Sequence, residues 1–265
     1  MSRANTGKAW TAWAESAAVL AALLALWWLA SHQQWVSKVF LPTPEATVRS
    51  LLEGLNLRAA ADAPRGELAG FTLSTIERMV LGWLLASLVG MALGALIGIS
   101  ATARAWIQPT LEFVRPLPAS AVLPLAVSLF GLSPSMVLSV VAFGAMWPVL
   151  LATVHGFASV EPRLREVASA LQIGHGAFIW KVGLPSAMPD ILAGMRLSMT
   201  VSLIVSVVGE MIASQSGLGQ AILLAARSFR ASELFAGIIL LGLIGFVSNS
   251  LLALAEQRLL RWQKP

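Results

Sequence analysis

Residues 161–189 read EPRLREVASALQIGHGAFIWKVGLPSAMP (Glu161–Pro189), a polar, helix-forming island between two apolar runs. Pro162 suits the first turn of a helix. Leu164, Val167, Ala168 and Leu171 recur at three- and four-residue steps, so they form one apolar stripe with Arg163, Arg165 and Glu166 off it. Gly174 and Gly176 are expected to end this helix, and Ala177 to Val182 to form a second short one. Leu184-Pro185 should then break the pattern before the chain turns back into apolar sequence. The expected shape is helix, turn, helix, lying parallel to a bilayer. Connections between packed helices run to about 2 to 8 residues, so an island of this length reads as a docking surface for something water-soluble.

Outward from the island the sequence is that of a membrane protein: 57% of residues are hydrophobic, 12% are charged, and mean hydropathy is +0.77. A helix needs about 20 apolar residues to cross roughly 30 Å of hydrocarbon. Ser16–Ser37, Met79–Ala103 and Leu234–Ala255 qualify, and so does Met188 to about Ala213, with Asp190 and Arg196 near its start and Glu210 near its end. Pro116–Val160 is uncharged and too long for one span; Gly131, Ser133 and Pro134 divide it into two, giving six helices in all. The first apolar run continues through Trp27, Trp28 and Trp35 without a small-residue cleavage site, so it reads as a retained helix and not as a signal peptide. With no cysteine there is neither a disulfide frame nor a thiol or Cys-based metal site.

The net charge of +5 lies in short segments beside apolar spans, which suits orientation better than nucleic-acid binding. With both termini cytoplasmic, nine cations (Arg3, Lys8, Arg104, Arg163, Arg165, Lys181, Arg258, Arg261, Lys264) lie inside and six (Lys38, Arg49, Arg58, Arg65, Arg227, Arg230) outside. That topology places the island in the cytoplasm. On the outer side, LPTP (Leu41–Pro44) opens a pattern through Val48, Leu51, Leu52 and Leu55 that predicts a short amphipathic helix on the membrane surface.

Within the spans, Gly90, Gly94 and Gly98 share a helix face, expected to serve packing within the chain ahead of a dimer seam. Arg115, Pro116 and Pro118 open the next span and imply a kinked or broken helix that either lines a pathway or is an ordinary membrane proline kink. Phe143 and Trp147 share a face of the fourth helix, as core packing or as a gate. Ser198, Ser202 and Ser206 share another, to line a pore or bond across helices. Glu210, 14 residues beyond Arg196, is either a functional intramembrane acid or the partner of a neighbouring helix. Arg115 and Arg196 would attract an anion in a low-dielectric passage, although Arg196 is expected to snorkel or pair with Asp190.

Glu166-Val167-Ala168, Leu184-Pro185 and Gly194-Met195-Arg196 resemble the EAA loop of permeases from binding-protein-dependent ABC importers. LPTP at 41, Arg115-Pro116-Leu117-Pro118, Leu123-Pro124-Leu125, Phe130-Gly131, Gly209-Glu210-Met211 and Ser216-Gly217-Leu218-Gly219 agree in order, and together resemble the subgroup that imports sulfonates, taurine and nitrate. The resemblance covers about residue 40 to 262. It implies an all-α fold of six transmembrane helices, the type I importer permease, in the inner membrane. It implies an N-terminal part (1–65) with the tail, the first span and a periplasmic segment, a permease core (66–256) carrying the coupling loop 161–189, and a cytoplasmic tail (257–265). Implied partners are a second copy of the chain, two cytoplasmic ATPases and a periplasmic or lipid-anchored solute-binding protein. Arg163, Arg165, Glu166, Val167, Ala168, Leu171, Gly174, Leu184 and Pro185 become the coupling residues. Arg115, Pro118, Phe143, Trp147, Ser198, Ser202, Ser206 and Glu210 become candidates for the translocation path. ATP and Mg²⁺ would sit on the partner, because this chain has no G-x-x-x-x-G-K-[ST] cradle and binds no cofactor of its own. The glycine normally six residues after the Glu of this loop is Gln172 here, so the turn between the loop helices is expected to be built differently.

Three other functions share features with this sequence. A vitamin-precursor permease, of thiamine or riboflavin type, shares the transporter class. An intramembrane serine protease would need a glycine two places before Ser216, where Ser214 stands, and His155 and His175 fall on the other side of the membrane, out of hydrogen-bond reach. An ion-driven transporter would show paired broken helices in repeated halves, which are not present.

Overall fold

The computed structural model describes residues 4–55 and 66–263, with side chains placed from residue 15 to residue 262. Of the residues used above to orient the chain, Arg3, Arg58, Arg65 and Lys264, and the side chain of Lys8, lie outside that description. All regular structure among the described residues is helical, as apolar sequence without strand alternation dictates. In order come α1 (Ala4–His32), α2 (Pro44–Gly54), α3 (Glu67–Ile99), α4 (Ala101–Val114), α5 (Ala119–Phe130), α6 (Pro134–Ala158), α7 (Pro162–Ala170), α8 (His175–Phe178), α9 (Leu184–Ala213), α10 (Leu218–Arg227) and α11 (Ala231–Leu259).

Five of these stretches are long and apolar enough to cross a bilayer: Glu15–His32 of α1, α3, α6, His175–Ala213 and α11. The sixth expected span is present as a broken one. Gly131, with φ +66°, and Ser133, whose Oγ accepts from the Met136 N–H at 3.2 Å, do separate two helices. The first of them is only the 12-residue α5, about 18 Å long at 1.5 Å per residue. A sixth crossing exists only if α5 is joined to α4 through a bend of 88° at Arg115–Pro118. Pro118 and Pro116, each lacking an N–H, explain why the helix does not run through. α3 likewise begins at Glu67, well before Met79, so Glu77 and Arg78 lie within the helix.

The chain divides into two compact units. One comprises the residues up to Ala69 and Ala221–Ile239. There LPTP does open a helix: Thr43 caps α2 by accepting from the Ala46 N–H at 3.3 Å, with Pro44 in the first turn. Trp27 and Trp28 tie α1 to this cap, donating to Pro42 O and Glu45 Oε1 at 3.0 Å each. The Glu45 carboxyl is held below its usual value, chiefly by its own backbone N–H in the first turn of α2.

The other unit, Gly70–Gln220 with the chain from Leu240 onward, has α3, α6 and α9 at its centre. Lipid tails are as apolar as leucine, so helices in a membrane gain little from hydrophobic transfer and depend on close packing. The glycine face of α3 supplies it. A Cβ at Gly94 would come within 2.7 Å of Leu150 O on α6, and at Gly90 or Gly98 within 3.0 Å of Met146 O or Val154 O. The face therefore packs within the chain, as expected. α9 meets the opposite flank of α6 in the same way, Gly194 against Ala152 and the Pro148 carbonyl, and Gly156 of α6 against Ala187. Leu123 and Ala126 of α5 complete an apolar core with Met136, Val137, Val140 and Val141 of α6 and Val205 and Ala213 of α9.

Candidate functional site

The polar island begins where α6 ends. Arg165 reaches back from α7 and donates through Nη2 to Phe157 O at 2.9 Å, satisfying a carbonyl that the end of α6 leaves without a partner. That bond fixes α7 against α6. Ala168 is buried, which leaves no room for a larger residue at its place in the stripe. The rest of the stripe is uncovered: Leu164, Val167 and Leu171 are 41%, 54% and 68% exposed. Arg163 and Glu166 flank them, also exposed. An apolar row in water with charges beside it has the composition of a binding face.

α7 ends differently from the expectation, and Gly174 is not what ends it. Gln172 takes a left-handed conformation, φ +52°. Its N–H donates to Ser169 O at 3.0 Å, and the Ile173 N–H donates to Ala168 O at 2.9 Å. Those two bonds define a Schellman cap. Gln172 thus occupies the glycine's place with the glycine's geometry, and the turn is conventional in shape although left-handed backbone costs a non-glycine residue roughly 1–2 kcal/mol. Gly174, at φ −60°, only precedes α8.

The expected break at Leu184-Pro185 is also corrected. α8 passes into α9 through a π-helical turn, Ile179–Gly183, and the Leu184 N–H donates to Ile179 O, five residues back. The wider turn accommodates Pro185, whose missing N–H falls in the first turn of α9. His175–Ala213 is one apolar helix of 39 residues. The second half of the island is continuous with the span that follows and does not form a separate helix.

Of the residues expected along a path, Arg115 and Pro118 are exposed at the α4–α5 bend. Phe143 and Trp147 form an edge-to-face pair with ring centroids 5.8 Å apart. Trp147 Nε1 is buried without a hydrogen-bond partner among the described residues. Ser198, Ser202 and Ser206 are fully buried. Ser198 donates to Ala145 O of α6 and Ser202 to Met79 O of α3, each at 2.6 Å. Both cross-helix bonds lie inside the unit.

Glu210 is fully buried and has three polar partners. Arg78 is ion-paired with it, the Thr75 hydroxyl donates to its carboxylate at 3.0 Å, and the Gly219 N–H donates to Oε2 at 2.8 Å. Arg78 Nη2 also donates to Ser216 O at 3.3 Å. Gly217 lies so close that a Cβ there would collide with the Glu210 carboxylate. The Gly209-Glu210-Met211 and Ser216-Gly217-Leu218-Gly219 motifs are thereby one structure: an acid, and the glycine turn that lets backbone approach it. Arg78 and Thr75 escaped the sequence reading. The available signal was an arginine amid apolar α3 facing a single acid late in α9, opposite charges that a membrane interior obliges to meet. Arg196 does not pair with Asp190 but with Glu256 of α11. Asp190 lies 3.5 Å from His155 Nδ1.

No group of three or more His, Cys, Asp or Glu side chains capable of holding a metal occurs among the described residues. The family described as "Binding-protein-dependent transport system inner membrane component" matches residues 86–261. The chain is 33% identical to the "Putative aliphatic sulfonates transport permease protein SsuC" of Bacillus subtilis (strain 168), covering 98% of this chain and 92% of the relative. It is 30% identical to the taurine transport system permease protein TauC of Escherichia coli (strain K12), covering 93% and 89%. Among solved structures it is similar to a chain of the MetNI methionine ABC transporter, with TM-score 0.63, 17% identity, and coverage of 75% of this chain and 96% of that one. At that identity the likeness bears on fold alone: the helices are those of a type I importer permease.

Proposed function

Because the chain belongs to the family of inner membrane components of binding-protein-dependent transport systems, we propose that it is the permease through which an ATP-driven importer passes small sulfonates, with taurine and alkanesulfonates as the first solutes to test. It is a membrane subunit and not an enzyme; ATP hydrolysis belongs to separate subunits. The substrate reading rests on the sulfonate and taurine permeases to which nearly the whole chain aligns, and nothing comparable favours a thiamine or riboflavin precursor.

The observation that carries the mechanism is the uncovered apolar row Leu164, Val167 and Leu171 beside Arg163 and Glu166. In our reading this row seats in a cytoplasmic ATPase. Glu166 accepts charge-assisted hydrogen bonds from it, and Arg165 holds the helix in place from within. The ATP and Mg²⁺ lie on that partner. Two copies of the chain, two ATPases and an extracytoplasmic solute-binding protein form the working unit, with both termini of each permease in the cytoplasm. The passage runs at the interface of the two copies, past Arg115, Pro118, Phe143, Trp147 and Ser206, while Ser198, Ser202 and Glu210 hold the helices that move.

The test is reconstitution of the full chain in liposomes with its partner ATPase and solute-binding protein. Taurine or an alkanesulfonate, presented with the binding protein, should stimulate ATP hydrolysis, and Glu166→Arg should abolish the stimulation while membrane insertion is retained. Unchanged stimulation in Glu166→Arg would remove the docking assignment. Stimulation by another solute class alone would remove the substrate assignment.

A further inference from the structure

The geometry points to a bound anionic phospholipid, its acyl chain in a groove along the second half of α11 and its headgroup at Arg258 and Arg261. The groove has a volume of about 600 Å³ and is bounded by Met79 and Trp83 of α3, Met199 of α9 and Leu243, Leu251 and Ala255 of α11; Ser248 is its only hydroxyl. It serves none of the roles described above.

Its length identifies the occupant. The α11 positions that line it run from Leu243 to Ala255, about 18 Å at 1.5 Å per residue. The charge-free stretch of the same helix, Leu234–Ala255, is what crosses the roughly 30 Å of hydrocarbon, and its middle falls at Ile244 and Gly245. The groove therefore extends from the centre of the bilayer to one edge, the depth of a single leaflet. A transmembrane helix seated there would need a groove through both leaflets. An acyl chain needs only one.

The edge is chemically marked. At the C-terminal end of α11 and just past it, Leu254, Gln257, Arg258 and Arg261 line a second hollow of about 360 Å³. Both arginines are exposed, and neither is in an ion pair among the described residues. Glu256, the acid of this turn, is engaged by Arg196, so its charge does not cancel theirs. Exposed Trp262 stands beside them, the residue type that settles at headgroup level. Paired guanidinium groups suit phosphate oxygens, and basic hollows at a membrane face draw anionic headgroups. An apolar slot one leaflet deep, with two exposed arginines at and just past the end of the same helix, matches a phospholipid of negative charge. The inference holds whichever solute is carried.

Native mass spectrometry of the full chain, taken from nanodiscs containing equimolar phosphatidylglycerol and phosphatidylcholine, tests it. Retained phosphatidylglycerol should exceed phosphatidylcholine by about tenfold or more, as expected for two arginines near the surface. In the exposed double variant Arg258→Gln, Arg261→Gln the preference should fall to parity. Ser248→Trp, which fills the groove, should lower retention of both lipids; should that variant fail to insert, the arginine variant alone decides. Equal retention of the two lipids by the unaltered chain, or a preference that survives without the arginines, overturns the proposal. So does a disulfide formed between copies by Ser248→Cys and Leu24→Cys in this cysteine-free chain, because a second copy's α1 would then cover the groove.

Discussion

Glu210 and Glu166 place the same side chain in opposite settings. Glu210 is fully buried, with Arg78, Thr75 and the Gly219 N–H all directed at it. Glu166 is exposed on a helix whose apolar row is also exposed. The first region is complete in itself, and every contact is made within one chain. The second is complete only at its base, where Ala168 is buried and Arg165 reaches the end of α6. The contrast separates residues that hold the permease together from residues free to meet another protein, and it can be broken experimentally.

The largest effect is expected from Arg78→Ala. It leaves the Glu210 charge buried without its cation, which costs about 3–5 kcal/mol and should lower the thermal unfolding midpoint of the purified protein by many degrees. Adding Glu210→Gln should recover most of the loss in a double-mutant cycle. If Arg78→Ala unfolds like the unaltered chain, the buried region is not the strut described here.

Next is Gly94→Leu, which forces α3 away from the Leu150 carbonyl and should cost about 1–3 kcal/mol or more by the same assay. Gly176→Ala in the island, with nothing within 4 Å, should be neutral. A smaller effect of opposite sign is expected for Gln172→Gly. Relief of the left-handed strain, partly offset by a freer unfolded chain, should stabilise by about 0.5–1 kcal/mol and raise hydrogen-exchange protection in α7. Glu166→Arg should change stability by no more than about 0.5 kcal/mol, although stimulated ATP hydrolysis should be lost. A large unfolding shift there would place Glu166 with Glu210 as a structural residue.

What the sequence made legible was local or periodic. The Thr43 cap, Pro162 at the start of α7, the glycine face of α3 and the turn at Gly131–Pro134 each announce themselves within one or two helical turns. The Glu210 cluster does not, because Thr75 and the acid are 135 residues apart and only the packing of α3 on α9 brings them together. Arg196 looked toward Asp190, six positions away, and met Glu256, 60 positions away, for the same reason. Leu184-Pro185 misled in another way. Proline breaks a helix by removing one donor, and a single π turn absorbed that loss. The short α5 misled because an uncharged run specifies apolar surroundings and not straightness.

That π turn has a mechanical consequence. Since α8 and α9 are one helix of 39 residues, about 58 Å long at 1.5 Å per residue, the end of the island and the far end of the span are two ends of a single rod. The π turn, Pro185 and Pro189 are the places where it could bend. Unless it bends there, a tilt given at His175 reaches Glu210, where Arg78 clasps it, and α3 must follow or let go.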